Sequence, residues 1–236
     1  MAAKQSGMKK PSLKIRAGKQ LLTTLTFVGV MLLLPANSLR FWQAWIFLFL
    51  MSASWIYFLL DLLHRDPELL DRRLRKNEPH LAQKLIVGVS RIVLFAGFVL
   101  AGLDFRFGWT RARLGRIPWS VIAAGQLSVV IGYWFVFRVT KANSFAGSTI
   151  QVDEGQRVVQ AGPYALVRHP MYFGIAITEL ATPFALASYV ALPVFALIVP
   201  ILVVRLIDEE RMLHRELPGY AEYCQRTRFR LVPGVW

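Results

Sequence analysis

The chain alternates long apolar runs with short polar segments that carry turn residues. A lysine-rich polar stretch at 1–20 precedes apolar runs at 21–34, 42–63, 85–103 and 117–139, and a nearly unbroken one at 173–204. About 20 apolar residues in a helix cross the roughly 30 Å hydrocarbon layer of a bilayer, so each of the first four runs predicts one span. Basic residues before a short apolar run imitate a leader peptide. No small-residue cleavage site is clear, however, and the second run follows at once after Pro35-Ala36-Asn37-Ser38, so two spans joined by a tight turn are expected. The fifth run, as a single helix at 1.5 Å per residue, would reach about 48 Å. Pro183, Ser188, Tyr189 and Pro193 sit near its middle, which predicts a helical hairpin. The expected fold is all-α: a polytopic membrane helical bundle of five to six transmembrane helices with a C-terminal helical hairpin and a cytoplasmic tail. It divides into an N-terminal transmembrane region at 1–140 and a core at 141–236 holding a loop, the hairpin and the tail.

Composition agrees with lipid as the solvent. Hydrophobic residues make up 55% and charged ones 18%, mean hydropathy is +0.44, and the formal net charge is nevertheless +14. Soluble domains are nearer 45–50% apolar and about 25% charged. The basic excess alone is a footprint of nucleic-acid binding, but such a surface is polar and this chain is not, so no nucleic-acid partner is expected. Six spans with the N-terminus inside place 22 of the 28 Lys and Arg on the cytoplasmic side, as the positive-inside rule favours. The connection at 104–116, with Arg106, Arg111, Arg113 and Arg116, runs against it. Arg91 falls near the start of the third span, where its long side chain can snorkel to the interface. The single cysteine, Cys224, excludes an intrachain disulfide framework. It lies in a polar tail without a base at motif spacing, so it does not read as a nucleophile. His64, His80 and His214 lack ligand spacing, and no metal site is expected.

Two polar clusters bracket the hairpin. The first runs Gly162-Pro163-Tyr164-Ala165-Leu166-Val167-Arg168-His169-Pro170-Met171-Tyr172, and the second Arg205-Leu206-Ile207-Asp208-Glu209-Glu210-Arg211-Met212-Leu213. A hairpin returns the chain to the face it left and brings both together; a single span would separate them. Arg168 and Arg205 offer forks for carboxylate or phosphate. Glu209 and Glu210 accept from hydroxyl or ammonium groups, and Tyr164 and Tyr172 stack or hydrogen-bond. Taken singly, Arg168 and His169 are ordinary interfacial anchors and Asp208-Glu209-Glu210 a solvated helix face. The tryptophans at 42, 45, 55, 109, 119 and 134 read, with Tyr133, as belt or packing residues.

From Gln151 onward the chain resembles the C-terminal half of the isoprenylcysteine carboxyl methyltransferase (ICMT) family. The resembling pieces are Gly-Pro-Tyr at 162–164, Arg-His-Pro-Met-Tyr at 168–172, the apolar hairpin, Arg205, Glu209-Glu210, Tyr220-Ala-Glu-Tyr223 and Arg230-Leu-Val-Pro-Gly-Val-Trp236. The resemblance implies an integral membrane methyltransferase that uses S-adenosyl-L-methionine. It implies cofactor contacts from Gln151, Gln156, Arg157, Val158, Val159, Tyr164, His169, Pro170, Met171, Tyr172 and Glu209. Arg205 matches the family's arginine that places the substrate carboxylate. Gln156 departs from the family, which commonly has histidine there; glutamine hydrogen-bonds but does not titrate, so no proton transfer is assigned to it.

The expected reaction is carboxyl O-methylation of a lipid-linked or hydrophobic acceptor, with Arg168, Arg205 and Glu210 as the catalytic candidates. Joining a sulfonium to a carboxylate makes neutral products, so positioning and desolvation supply the rate. An amine acceptor, as in the related phospholipid N-methyltransferases, would need a base such as Glu210. Two further readings are an NADPH-dependent sterol-type reductase and a non-catalytic lipid-binding protein. The bilayer is the expected partner, with both termini cytoplasmic. The oligomeric state is not legible.

Overall fold

The computed structural model describes residues 12–74, 80–147, 149–152 and 155–236, and within them every regular element is a helix. Lys4, Lys9, Lys10, Arg75 and Lys76, counted above in the charge distribution, lie outside the described residues. Four helices are long and apolar enough to cross a membrane: α1 (Leu13–Ala36), α2 (Trp42–Arg65), α4 (Leu81–Phe107) and α6 (Trp119–Ala142). Between them lie two short helices, α3 (Pro67–Arg73) and α5 (Trp109–Leu114). The protein is thus a multi-pass integral membrane protein. Trp42, Trp45, Trp119 and Trp134 lie on its exposed surface.

The chain reverses inside 173–204, as expected. Helix α7 (Pro170–Ala185) runs away from the site face, Ala187 takes a positive φ of 56°, and α8 (Leu192–Ala196) leads into α9 (Ile198–Glu216), which returns. The bend is held by a buried polar group. Asp104, at the end of α4 and 3% exposed, accepts from the Thr110 amide at 2.7 Å, the Thr110 hydroxyl at 2.5 Å and the Ser188 hydroxyl at 2.6 Å. The Ser188 and Thr110 hydroxyls in turn accept from the Ala191 and Val190 amides. A carboxylate buried in this way is stable because its lone pairs are filled.

Helix α1 begins eight residues before its apolar run. Ser12 caps it through the Ile15 amide, and Ala17 is buried against Leu59, Leu62, Leu69 and Leu70 of α2 and α3. Arg16 bonds Asp71 at 2.5 Å. The polar first turns of α1 are therefore held by tertiary contacts at the bundle's edge, which hydropathy does not register. The polar segment after α2 is likewise folded, since Asp66 caps α3 through the Leu69 amide.

Helices α6 and α7 approach so closely that side chains are excluded between them. A Cβ on Gly132 would meet Thr178 and lie 3.0 Å from the Gly174 carbonyl oxygen, and one on Gly174 would lie 2.7 Å from Val136 Cγ2. In lipid, where the hydrophobic effect does not drive helices together, small residues permit the backbone contact that does. This packing fixes the start of α7, and with it His169 and Tyr172.

After α9 the chain turns at Gly219 into α10 (Tyr220–Arg226). A second small core forms there: Met212, Leu213, Leu217, Tyr220 and Tyr223 pack with Ile150, and Val152 and Val158 lie against them. The loop after α6 is thereby seated on the end of α9.

Candidate functional site

The site is built where α7 begins and α9 ends. His169 directly precedes Pro170, the first residue of α7, and its ring stacks on Tyr172 with centroids 5.7 Å apart and planes 20° apart. Proline at this position costs no helix hydrogen bond, so α7 starts sharply. Seven residues of apolar helix, 198–204, precede the polar part of α9. Each carboxylate in its acidic run takes a different partner. Asp208 accepts from Gln83, which is fully buried on α4. Glu209 accepts from the Tyr172 hydroxyl at 2.5 Å, and that hydroxyl accepts from Arg205 Nε at 3.1 Å. Glu210, 6% exposed, accepts from Arg168 Nε at 2.6 Å and Arg230 Nε at 2.8 Å, with His169 Nε2 at 3.2 Å.

The C-terminal tail completes this arrangement. The Arg168 and His169 amides donate to the carbonyls of Phe229 and Arg230, each at 2.9 Å. Arg168 Nη1 also donates to the carbonyls of Thr227 and Arg228 at 3.1 Å. Burial opposes the charge on Glu210, but hydrogen bonds from His169, Arg168 and Arg230 outweigh it and hold the carboxyl well below the usual range. Burial likewise opposes the charge on Arg168, and Glu210 reverses that effect and raises it. Arg168 and Glu210, both expected to meet the substrate, have their polar atoms on each other and on the tail.

A cavity of about 420 Å³ opens beside this knot. Its walls include Gln151, Gln156, Arg157, Val158, Val159, Tyr164, Arg168, His169, Pro170, Met171, Tyr172, Arg205 and Glu209, so every cofactor-contact candidate lies on one surface. Glu210 is not among the wall residues. Tyr164 is pinned at both ends. Its hydroxyl accepts from Asn143 at 3.2 Å, and its carbonyl accepts from the Tyr223 hydroxyl at 2.7 Å. Burial pushes its phenol up to about 12, so Tyr164 is neutral at physiological pH.

Sequence reasoning missed several contributors. Arg73 of α3 borders the cavity and donates to Thr140 at 3.2 Å and the Met171 sulfur at 3.3 Å. Asn143, Arg230 and Gln83 act through the bonds above. None carries a local signal, because each partner is at least 20 residues away in the chain. Glu179 was legible as a carboxylate inside an apolar run, and it also borders the cavity. A second cavity of about 680 Å³ lies among α1, α2, α3 and α4. The two share Arg73, Val87, Arg91, Leu94 and Thr149 as wall residues.

Comparison with known proteins follows the same ground. A cobalt-zinc-cadmium resistance protein of Cupriavidus metallidurans is 32% identical over 146 residues, covering 60% of this chain and 61% of its own length. A Delta(14)-sterol reductase of Mus musculus is 26% identical over 226 residues, covering 78% of this chain and 52% of its own. The chain therefore spans between half and two thirds of the length of these relatives. The sequence model of the isoprenylcysteine carboxyl methyltransferase (ICMT) family matches residues 125–215, from Gly125 of α6, where a Cβ would run into the Ala185 backbone of α7, to the last turn of α9. The stretch that supplies Tyr164, Arg168, His169, Tyr172, Arg205, Glu209 and Glu210 is thus the stretch that is similar to the isoprenylcysteine carboxyl methyltransferase family.

Proposed function

We propose that the protein is a membrane methyltransferase that uses S-adenosylmethionine, with a hydrophobic or lipid-linked acceptor. The observation that carries this reading is the single cavity bordered by Gln151, Val158, His169, Tyr172 and Glu209 together. Its volume falls within the range of small-molecule pockets. Its wall fits the cofactor's chemistry: a carboxylate for ribose hydroxyls or an ammonium, amides for a carboxylate, and aromatic and aliphatic surface for a purine. S-adenosylmethionine bound there supplies an electrophilic methyl group on a sulfonium.

The residues then divide by task. Glu209, held by Tyr172, and the amides of Gln151 and Gln156 bind and orient. Arg205 lies between them and the apolar depth of the cavity, where it places a carboxylate of the acceptor. Glu210 serves as a positioning residue, since Arg168, Arg230 and His169 fill its lone pairs and leave it poorly suited as a general base. The acceptor's apolar part fits the second cavity, which adjoins the first, and reaches it sideways through the bilayer. Desolvation in this enclosure favours neutralisation of opposite charges. We further propose that both termini are cytoplasmic, that 1–140 supplies the lipid-side walls and that 141–236 supplies the cofactor side.

A second reading is an NADPH-dependent reductase, favoured by the extent of the match to the sterol reductase. Titration of the purified protein with S-adenosylhomocysteine and with NADPH separates them. Binding of the former alone supports the methyltransferase; binding of NADPH alone overturns it. Binding of neither would favour a lipid-binding role without catalysis.

A further inference from the structure

Five arginines gather at the end of the bundle opposite the site. Arg106 lies about 35 Å along α4 from Gln83, the partner of Asp208. Phe41 stacks on Phe105 with centroids 4.3 Å apart, and a Cβ on Gly102 would lie 3.3 Å from the Ala36 amide nitrogen. The turn that carries Arg40 is thereby set against the end of α4 that carries Arg106. Helix α5 follows at once with Arg111 and Arg113, and Arg116 comes just after it. All five arginines are exposed. The connections at this end, 37–41, 104–118 and 186–191, contain one acidic residue, Asp104, which is buried and taken up by Thr110 and Ser188. None of the five guanidiniums meets a carboxylate among the described residues. The site end differs: Arg16 pairs with Asp71, Arg65 and Lys141 with Asp61, and Arg168 and Arg230 with Glu210.

Like charges gathered at one end repel each other within the screening length, about 8–10 Å at physiological salt. Their counter-charge has to come from outside the chain, and the surface between them indicates its carrier. Leu39, Phe107, Leu114 and Trp119 are exposed there, as is Trp45, whose Nε1 donates to the Leu39 carbonyl at 2.9 Å. Apolar and aromatic side chains interleaved with arginines, where α1 and α4 end and α2 and α6 begin, suit the layer in which acyl chains give way to head groups. An acidic protein in solution would engage the guanidiniums and leave the rings exposed. We propose that this end of the bundle is a docking surface for anionic phospholipid head groups. The guanidinium forks take the phosphates, and the rings lie against the upper acyl chains. The inference goes beyond the methyltransferase reading and does not depend on it. It also accounts for the basic connection at 104–116, which runs against the positive-inside rule: anionic lipid of the leaflet at that end holds those arginines at the surface.

The test uses the full chain reconstituted in phosphatidylcholine bilayers. Trp42, Trp45, Trp109 and Trp119, four of the seven tryptophans, lie at this end and report on it. Their fluorescence is quenched with small fractions of brominated phosphatidylglycerol or brominated phosphatidylcholine. At low salt the anionic lipid should bind about five-fold more strongly, and in roughly 1 M salt the ratio should fall toward one. The triple variant Arg111→Gln, Arg113→Gln, Arg116→Gln should lose most of the preference. Lys14→Gln, Lys19→Gln and Lys84→Gln together remove the same charge at the site end and should leave most of it. Equal binding of the two lipids by the unaltered protein overturns the proposal, as does a preference indifferent to salt; both are read without any variant, so a misfolded triple does not shield the idea. A preference that survives the far-end triple, or falls as much in the site-end triple, also overturns it. Equal lipid binding together with capture of soluble polyglutamate would assign the surface to an acidic protein instead.

Discussion

The Tyr172 hydroxyl donates to Glu209 at 2.5 Å and accepts from Arg205 at 3.1 Å, so one phenol sets the positions of a carboxylate and a guanidinium on the next helix. Tyr172→Phe removes both bonds while keeping the ring that stacks on His169. S-adenosylhomocysteine affinity should fall about ten-fold or more, the worth of a hydrogen bond to a charged group, with little change in Tm. Calorimetric titration checks the first and thermal unfolding in detergent the second.

Glu210 gives a pH prediction. Its folded-state pKa is depressed, so its contribution to stability is present above the unfolded carboxylate value of 4.5 and is lost as pH falls below it. The knot with Arg168 and Arg230 should therefore hold throughout neutral and mildly acidic conditions. Glu210→Gln should destabilise by about 3 kcal/mol near pH 7. The Tm gap between the two proteins should stay constant down to about pH 5 and close below pH 4.5. A gap that varied between pH 6 and 8 would contradict this assignment.

The glycine contact between α6 and α7 predicts sensitivity far from any polar group. Gly132→Val would drive a side chain into Thr178 and the Gly174 backbone, and overpacking of this kind costs about 1–3 kcal/mol. Because the contact also places Tyr172, ligand affinity should fall with stability. An exposed control such as Gly18→Ala, which meets nothing within 4 Å, should change neither.

At the far end of the bundle, Asp104→Ala would strip the acceptor from Thr110 and Ser188 together. With three buried donors orphaned, the loss should be about 3 kcal/mol or more, read as a Tm lower by roughly 6 °C or more. The hairpin bend would loosen, while S-adenosylhomocysteine affinity should change far less than in Tyr172→Phe.

Much of this was legible beforehand, and the reasons are physical. Hydrophobic runs located α2, α4 and α6 because lipid imposes length and polarity together. The reversal inside 173–204 followed from a length too great for one span and from Pro183, Ser188, Tyr189 and Pro193 near its middle, and it brought Arg168 and His169 to Glu209 and Glu210. What composition could not reveal was which partner each carboxylate takes. Glu210 looked reactive because Arg230, 20 residues on, reaches it only through a non-periodic tail. Asp208 looked solvated because its partner, Gln83, lies 125 residues earlier. The start of α1 at Leu13 depended on Ala17 packing under α2 and α3.

The pairing of Phe229 and Arg230 with Arg168 and His169 bears on the order of assembly. Synthesis delivers α1, α2, α4, α6 and the hairpin before the tail, and their insertion can then proceed. The strap that closes the Arg168–Glu210 knot is made some 25 residues later. Embedding in the bilayer and completion of the site are thus successive events, and a chain halted at Arg226 would be a correctly inserted protein whose pocket has no latch.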